Sequence, residues 1–427
     1  MELNKIHTLF LDCSVVSTDT RNINKNALFF ALKGPNFNGN LYAAQALESG
    51  AKYAVIDEVV QPMHDHFIFV DNVLQTLQDL ARFHRDYLGL PIIALTGSNG
   101  KTTTKELINA VLQPRFKTIA TIGNLNNHIG VPLTLLRMTA ETEVGIVEMG
   151  ANHAKEIALL CDIAKPNVGY ITNFGKAHLE GFGSEQGVIV AKSELYDYLK
   201  ANKGLIIMNS DDAKQEKQVG RYSTTFSFSE SKQASINISL LESQPFLNVS
   251  LVDTAIKTHL VGVYNFHNIA AALAIGSYFK VTPQQLKLGV EAYVPANNRS
   301  QIIHQNSNEI LLDAYNANPS SMEAALTNFI EIKNKNKLAI LGDMFELGVT
   351  SAKEHLEVIS QAVLIEGCMF YFVGSHFFEQ KTDHPKLLFF ETFNELQLYL
   401  KQSTILNTSI LIKGSRGMAL ERVLKVI

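Results

Sequence analysis

One stretch constrains this chain more than any other. Pro91-Ile92-Ile93-Ala94-Leu95-Thr96 is an apolar run of strand character. Gly97-Ser98-Asn99-Gly100-Lys101-Thr102-Thr103-Thr104 follows, and then Leu107, Ala110 and Val111 share a helical face that stops before Pro114. Strand, glycine turn and helix in that order aim backbone N–H groups at one point before a helix N-terminus, an arrangement that binds phosphate. Lys101 is placed to reach the β- and γ-phosphates of a nucleotide, and Thr102 to offer its hydroxyl to Mg²⁺. The general pattern GxxxxGK[ST] has glycine where this chain has Leu95, so the match is to a shorter variant, TGxxGKTT. A glycine-rich turn with a solvated lysine is the rival. The flanking elements favour nucleotide binding through Gly97, Ser98, Asn99, Gly100, Lys101, Thr102 and Thr103.

The remaining composition narrows the class. The 427 residues suggest two to four domains. Thirty-seven basic against 41 acidic residues leave a net charge of −4, so no basic field exists to hold nucleic acid. No apolar run is long enough for a membrane-spanning helix. The opening Met1-Glu2-Leu3-Asn4-Lys5 is read as no secretion signal. Cys13, Cys161 and Cys368 are odd in number and far apart, which argues against a disulfide framework and fits a reducing cytoplasm.

Three segments are expected, at 1–90, 91–296 and 297–427. In the first, Ala27–Leu32 and Tyr53–Ile56 read as strands, 41–49 as helical, and Val73–Leu88 as a helix ending at Gly89. In the second, strand patterns at Ile92–Thr96, Val144–Met149, Val168–Asn173 and Leu205–Met208 alternate with helices, which predicts a largely parallel sheet. From about 222 to 263 the texture predicts an antiparallel β patch. In the third, strands at Ile310–Ala314, Leu338–Leu341, Phe370–Val373, Leu387–Phe390 and Ser409–Lys413 predict a second α/β sheet close to a Rossmann arrangement.

Three further residues invite chemistry. Glu148 ends a strand of the phosphate-loop sheet, at the edge where ligands sit, and reads equally as an Mg²⁺ ligand or as a capping or ion-paired glutamate. His178 follows another strand at that edge and suits a divalent cation through a neutral imidazole. Lys192 lies beside an apolar helical stripe of Val188, Ala191, Leu195 and Leu199. A buried lysine there would be a neutral nucleophile, but spacing alone favours a snorkelling one. His64 and His66 look metal-like, yet no other candidate ligand is near, and they are read as surface residues.

These motifs together resemble the ATP-dependent Mur ligases of bacterial cell-wall synthesis, over nearly the whole chain. Thr18-Asp19-Thr20-Arg21 and Phe30-Ala31-Leu32-Lys33-Gly34 are similar to that family's UDP-binding first domain. Asn124-Leu125-Asn126-Asn127, Glu148-Met149-Gly150-Ala151-Asn152 and Ala177–Ser184 resemble its central substrate and metal motifs. Asp313-Ala314-Tyr315-Asn316-Ala317-Asn318-Pro319, Leu341-Gly342-Asp343-Met344 with Glu346-Leu347-Gly348, and Lys413-Gly414-Ser415-Arg416-Gly417 resemble the third domain of the branch that adds D-alanyl-D-alanine to UDP-N-acetylmuramoyl-tripeptide.

The resemblance implies three α/β domains: a small UDP-binding one, a central P-loop ATPase with an antiparallel patch, and a Rossmann-like one bringing the dipeptide. It implies ATP, two Mg²⁺ ions and a cytoplasmic monomer. It makes Thr102, Glu148, His178 and a carbamylated Lys192 the metal ligands, reversing the snorkelling reading. Lys101, Asn127, His178 and Lys192 become catalytic. Asn265, Asn268 and Arg299 join the nucleotide side, with Asn268 near adenine; Tyr264 stands where the family commonly has histidine. Asp19, Thr20, Arg21, Asn126, Asn127, Asp313, Asn316 and Asn318 become substrate contacts, although Asn318 before Pro319 also reads as a helix N-cap. In the first domain, Phe37-Asn38-Gly39-Asn40 departs from the family's Asp-Gly-His. Two rivals stand beside this reading. A folylpolyglutamate synthetase shares the central chemistry but lacks a UDP-binding first domain. A P-loop switch reading guanine needs Asn-Lys-x-Asp, and Asn24-Lys25-Asn26 and Asn334-Lys335-Asn336 lack the aspartate.

Overall fold

Apolar runs of four to six residues that are buried on both faces make parallel strands covered by helices. Strands with one wet face pair antiparallel at the margins. Both kinds occur here. The computed structural model describes residues 1–61, 63–334 and 336–427. Lys335 of the Asn334-Lys335-Asn336 triplet lies outside the described residues.

The first segment holds β1 (Val16–Ser17), β2 (Leu28–Phe30), a small hairpin of β3 (Lys33–Gly34) and β4 (Phe37–Asn38), then β5 (Tyr53–Ile56) and β6 (Phe67–Phe69). Its main sheet runs β1-β2-β5-β6, all parallel. The helical stretch expected over 41–49 is a 3₁₀ turn, Gly39–Tyr42, leading into the helix Ala43–Glu48. The helix Val73–Leu88 starts on an Asn72 cap and ends where Gly89 turns left-handed at φ 65°.

The central sheet has nine strands. They are β7 (Ile92–Thr96), β8 (Thr118–Ala120), β9 (Val144–Glu148), β10 (Val168–Ile171), β11 (Leu205–Asn209), β12 (Thr225–Ser229), β13 (Ile236–Glu242), β14 (Asn248–Leu251) and β15 (Thr254–Lys257). Their order is β15-β14-β13-β12-β11-β10-β7-β9-β8. Every residue of β7, β9 and β10 is buried. The antiparallel patch is smaller than expected. β12 pairs parallel with β11 and with β13, and only β13, β14 and β15 run antiparallel. The Thr-Phe-Ser-Phe-Ser alternation of β12 carries no information about strand direction.

The third segment holds β16 (Gln301–Gln305), β17 (Asn308–Asp313), β18 (Lys337–Gly342), β19 (Cys368–Val373), β20 (Leu387–Phe390) and β21 (Ser409–Lys413), ordered β16-β17-β21-β18-β19-β20. The core is parallel, with one antiparallel edge strand, β16, that its half-buried Gln-Ile-Ile-His-Gln sequence does not announce. No helix among the described residues is long and apolar enough to cross a membrane.

Candidate active site

The phosphate loop explains its own short pattern. Leu95 is fully buried inside β7, so the strand runs on where a longer loop would turn. The turn begins at Gly97, at φ +145°, where a Cβ would lie 2.0 Å from Thr172 Oγ1. Gly100, at φ +78°, opens the helix Lys101–Leu112, and a Cβ there would meet Asn268 Oδ1 at 2.5 Å. Only glycine fits either place. The segment after β10 braces the loop. Ser98 Oγ donates to Gly175 O at 2.8 Å, and Asn99 N–H donates to Asn173 Oδ1 at 3.1 Å. Lys101 Nζ folds back and donates to Gly97 O at 2.7 Å and Ser98 O at 3.3 Å. Burial lowers its pKa below the usual lysine range; the Glu148 charge opposes the shift and Arg299 adds to it.

Glu148 ends β9 and is buried. Its backbone N–H donates to Thr121 Oγ1 at 3.0 Å, and its Oε1 accepts from Asn126 Nδ2 at 2.8 Å. Its Oε2 is buried with no partner. An unpaired buried carboxylate oxygen is costly and asks for a cation. That orphan oxygen, with the Thr102 hydroxyl and the His178 imidazole, fits a magnesium ion. Among the described residues no group of three or more His, Cys, Asp or Glu side chains is arranged to hold a metal by itself. Mg²⁺ bound through one carboxylate and substrate phosphates needs no such cage.

His178 follows β10 with a left-handed backbone, φ +52°, and its Nδ1 pairs with the Glu346 carboxylate. Lys192 does not snorkel. Its side chain is fully buried in the helix Glu185–Ala201, its Nζ donating to Ala151 O at 3.1 Å and lying 5.0 Å over the Phe182 ring. Burial holds its pKa far below the usual lysine range, and the Lys101 charge pushes the same way, against Glu156 and Glu194. His64 and His66 stay on the surface, the ring of His66 bonded to Lys52 O.

On the far side of the loop, Asn268 is engaged at both ends of its amide. Its Nδ2 donates to Asn265 Oδ1 at 2.8 Å and its Oδ1 accepts from Thr104 Oγ1 at 3.0 Å. Asn265 Nδ2 in turn donates to Val261 O. Arg299 stacks 3.5 Å from the Tyr315 ring centroid. Tyr264 shares a hydroxyl hydrogen bond with Ser300, and His267 lies beside Asn209.

The third segment closes the site. Asp313, at the end of β17, pairs with Lys413, at the end of β21, at 2.5 Å, and accepts from Ser300 N–H at 3.2 Å. Asn318 caps the helix Pro319–Ile330 in a box with Ser321, so the N-cap reading holds. Its free amide Nδ2 also donates to Asn99 Oδ1 of the phosphate loop at 2.7 Å.

Of the nucleotide, metal and dipeptide residues expected from the sequence, all but Lys192 and Gly97 line one cavity of about 1300 Å³ at the carboxyl ends of both larger sheets. Asn127 and Asn316 line it too; Asn127 Oδ1 accepts from the N–H groups of Ile129 and Gly130. Asp19, Thr20 and Arg21 are not brought there. They form an exposed turn in which Arg21 is bonded to Asp19 at 2.6 Å. Among the lining residues to which the sequence reading gave no role are Glu346, Lys413 and Ser300. Lys413 and Glu346 sat in quoted motifs without a role. A clue existed only in the pairing of an acid-bearing with a base-bearing strand end, which topology decides.

A phosphate loop, an orphan carboxylate and a second α/β sheet facing the first define a nucleotide-using enzyme built from three α/β domains. Family models match in the same order: Mur ligase family, catalytic domain, over 12–85; Mur ligase middle domain over 95–276; and Mur ligase, glutamate ligase domain, over 298–415. The chain is 35% identical over 426 residues to the UDP-N-acetylmuramoyl-tripeptide--D-alanyl-D-alanine ligase of Bacillus subtilis, covering 96% of this chain and 92% of that protein. Among solved structures it resembles MurF from Acinetobacter baumannii, with a TM-score of 0.85 and 30% identity over 96% of this chain and 92% of that one. It also resembles the MurF ligase of Thermotoga maritima in complex with ADP, with a TM-score of 0.84 and 25% identity over 98% and 97%. The chain belongs to the Mur ligase family.

Proposed function

We propose that this chain is the ATP-dependent ligase that joins D-alanyl-D-alanine to UDP-N-acetylmuramoyl-tripeptide in peptidoglycan precursor synthesis. The observation that carries the reading is the single cavity in which Lys101 and the unpaired Glu148 Oε2 face Asp313, Lys413 and Asn318 of the other sheet. The reaction must bring a carboxylate up to a triphosphate, so neutralising charge is its main difficulty. The tripeptide carboxylate attacks the γ-phosphorus and ADP leaves. The amine of the dipeptide then attacks the acyl phosphate carbon, and phosphate leaves. Lys101 exchanges its carbonyl partners on the loop for phosphate oxygens. The N–H groups of Gly100–Thr103 cradle the phosphates at the helix N-terminus. Asn127 holds the acceptor carboxylate, while Asn126 keeps Glu148 aimed. Bound Mg²⁺ supplies further neutralisation, and Thr102, Glu148 and His178 would hold it.

Lys192 is proposed to be carbamylated and to hold a second ion. Its buried amine, whose pKa burial holds far below the usual lysine range, supports this, although the unmodified side chain does not reach the cavity wall. Asn265, Asn268 and Arg299 serve the nucleotide, Asn268 by shaping the loop at Gly100. Asp19, Thr20 and Arg21 serve the uridine diphosphate. The proposed units are 1–90 for that substrate, 91–296 for ATP and 297–427 for the dipeptide, with Asp313, Asn316 and Asn318 on the dipeptide's side. The acyl phosphate must be kept from water, and the Asn318–Asn99 contact supports closure of the third unit over the loop.

The family match at 12–85 disfavours the folate rival, which lacks such a unit. The test is phosphate release with ATP, Mg²⁺, UDP-muramoyl tripeptide and D-alanyl-D-alanine, omitting one component at a time. Release is expected only with all four. Release on folate instead, or nucleotide-dependent protein binding without release, would replace this reading.

A further inference from the structure

The ring of His178 is held from the opposite sheet. Its Nδ1 pairs with the carboxylate of Glu346, which lies in the loop after β18. The backbones dock as well. Glu180 N–H donates to Glu346 O at 3.2 Å, and a Cβ on Gly348 would lie 3.3 Å from the Cβ of Glu180. The Glu346 loop is stiffened from behind. Met344 N–H donates to His355 Nε2 at 3.1 Å, and Phe345 N–H donates to Ser415 Oγ at 2.9 Å. Ser415 N–H closes the frame on Asp343 O, while the Asp343 carboxylate accepts from the N–H groups of His376 and Phe377. Both members of the pair are non-glycine residues in left-handed backbone, Glu346 at φ +62° and His178 at φ +52°. Each such residue carries backbone strain that a glycine would not. Two strained backbones meeting at one hydrogen bond mark a contact whose direction matters.

A carboxylate on Nδ1 fixes the imidazole tautomer. The proton sits on Nδ1, and Nε2 keeps its lone pair free for a cation. We infer that Glu346 is a positioning residue for the cation site, orienting His178 from the third unit so that the site on the central sheet is complete only when the two units are docked. This rests on the reading of His178 as a metal ligand. By linkage, cation binding and docking of the third unit then favour each other equally.

The experiment uses the full chain with Mn²⁺ as the probe, in the presence of a nonhydrolysable ATP analogue. Mn²⁺ affinity and imidazole-nitrogen coupling to Mn²⁺ are read by electron paramagnetic resonance. The wild type is expected to show nitrogen coupling, and His178→Ala to lose it. Glu346→Ala, at a half-exposed side chain, keeps the fold and is expected to weaken Mn²⁺ binding about 10–100-fold and to lose or shrink the coupling. The double variant is expected to bind Mn²⁺ no worse than His178→Ala alone, because both substitutions remove one unit. If Glu346→Ala keeps wild-type affinity and coupling while His178→Ala loses both, the positioning role is gone and the metal assignment stands. If His178→Ala changes neither, both fall.

Discussion

The phosphate loop and the Asp19-Thr20-Arg21 turn are both proposed to present a cation to an anionic ligand, and they are built in opposite ways. Lys101 is half-buried, backed by glycines that admit no side chain, and braced through Ser98 and Asn99 by the neighbouring strand end. Arg21 is 89% exposed and, among the described residues, is bonded only to Asp19, two residues away. Arg21 holds the Asp19 carboxyl at about 2, so the pair stays ionised across the working range. In the first region the fold fixes the charge before any ligand arrives. In the second the ligand must order it. A preorganised charge acts on the transition state, whereas a loose one contributes mainly to binding.

The largest expected effect tests that division. Lys101→Ala should lower ATP turnover by about 10²–10³-fold, the loss seen when one preorganised electrostatic donor is removed. The thermal midpoint should hold, since the lysine's own bonds are to its loop. Unchanged ADP release would end the phosphate-loop assignment. Lys192→Ala should likewise abolish ligation, and bicarbonate should not restore it, because the amine that would carry the carbamate is gone. Near-normal turnover in that variant would remove the modification from the mechanism.

Arg21→Ala should act on the other side of the comparison. KM for the UDP substrate should rise about tenfold. Turnover at saturation and nucleotide affinity should stay put. A fall in kcat equal to the rise in KM would mean that the exposed turn is preorganised after all, and the contrast would fail.

The same contrast governs what could be read from the chain. β7 and β21 lie within the bounds that their apolar runs predict, because burial on both faces leaves little freedom of period. The two-residue β1 and the half-buried β8 left no such trace. Lys101 and Glu148 were legible because the chemistry of each is tied to a local backbone pattern. Glu346 and Lys413 were not, because their partners, His178 and Asp313, stand on elements remote in sequence and meet only through topology. Asn126, read as a substrate contact, lines the cavity and also has its amide nitrogen on Glu148. No spacing rule announces that bond.

The smallest expected effect concerns how the first region is fastened to the second. His7 and His84 are buried and bonded, His7 Nε2 to His84 Nδ1 at 3.0 Å, and His84 Nε2 donates to Met138 O of the central segment at 2.9 Å. That chain of bonds uses one proton per ring, His7 donating to His84 and His84 to the carbonyl. Burial lowers both pKa values below the ordinary 6.5; the neighbouring His84 adds to the shift at His7, and the Met138 bond partly opposes it at His84. The fold therefore favours the neutral form of both rings, which pick up protons more readily once it opens. The unfolded chain binds more protons as pH drops below 6.5, so the stabilisation present above that value is lost as pH falls toward the depressed folded values. Thermal unfolding at pH 5.5 should begin a few degrees lower than at pH 7.5, with protection of amides in Leu3–Leu11 and Val73–Leu88 lost before that in β7 and β9. His84→Phe should flatten this difference, since the ring that must stay neutral is removed, while leaving nucleotide binding alone. Equal loss of protection in both regions would mean that the seam opens with the whole molecule, and the two regions would then differ in their chemistry but not in how they are held.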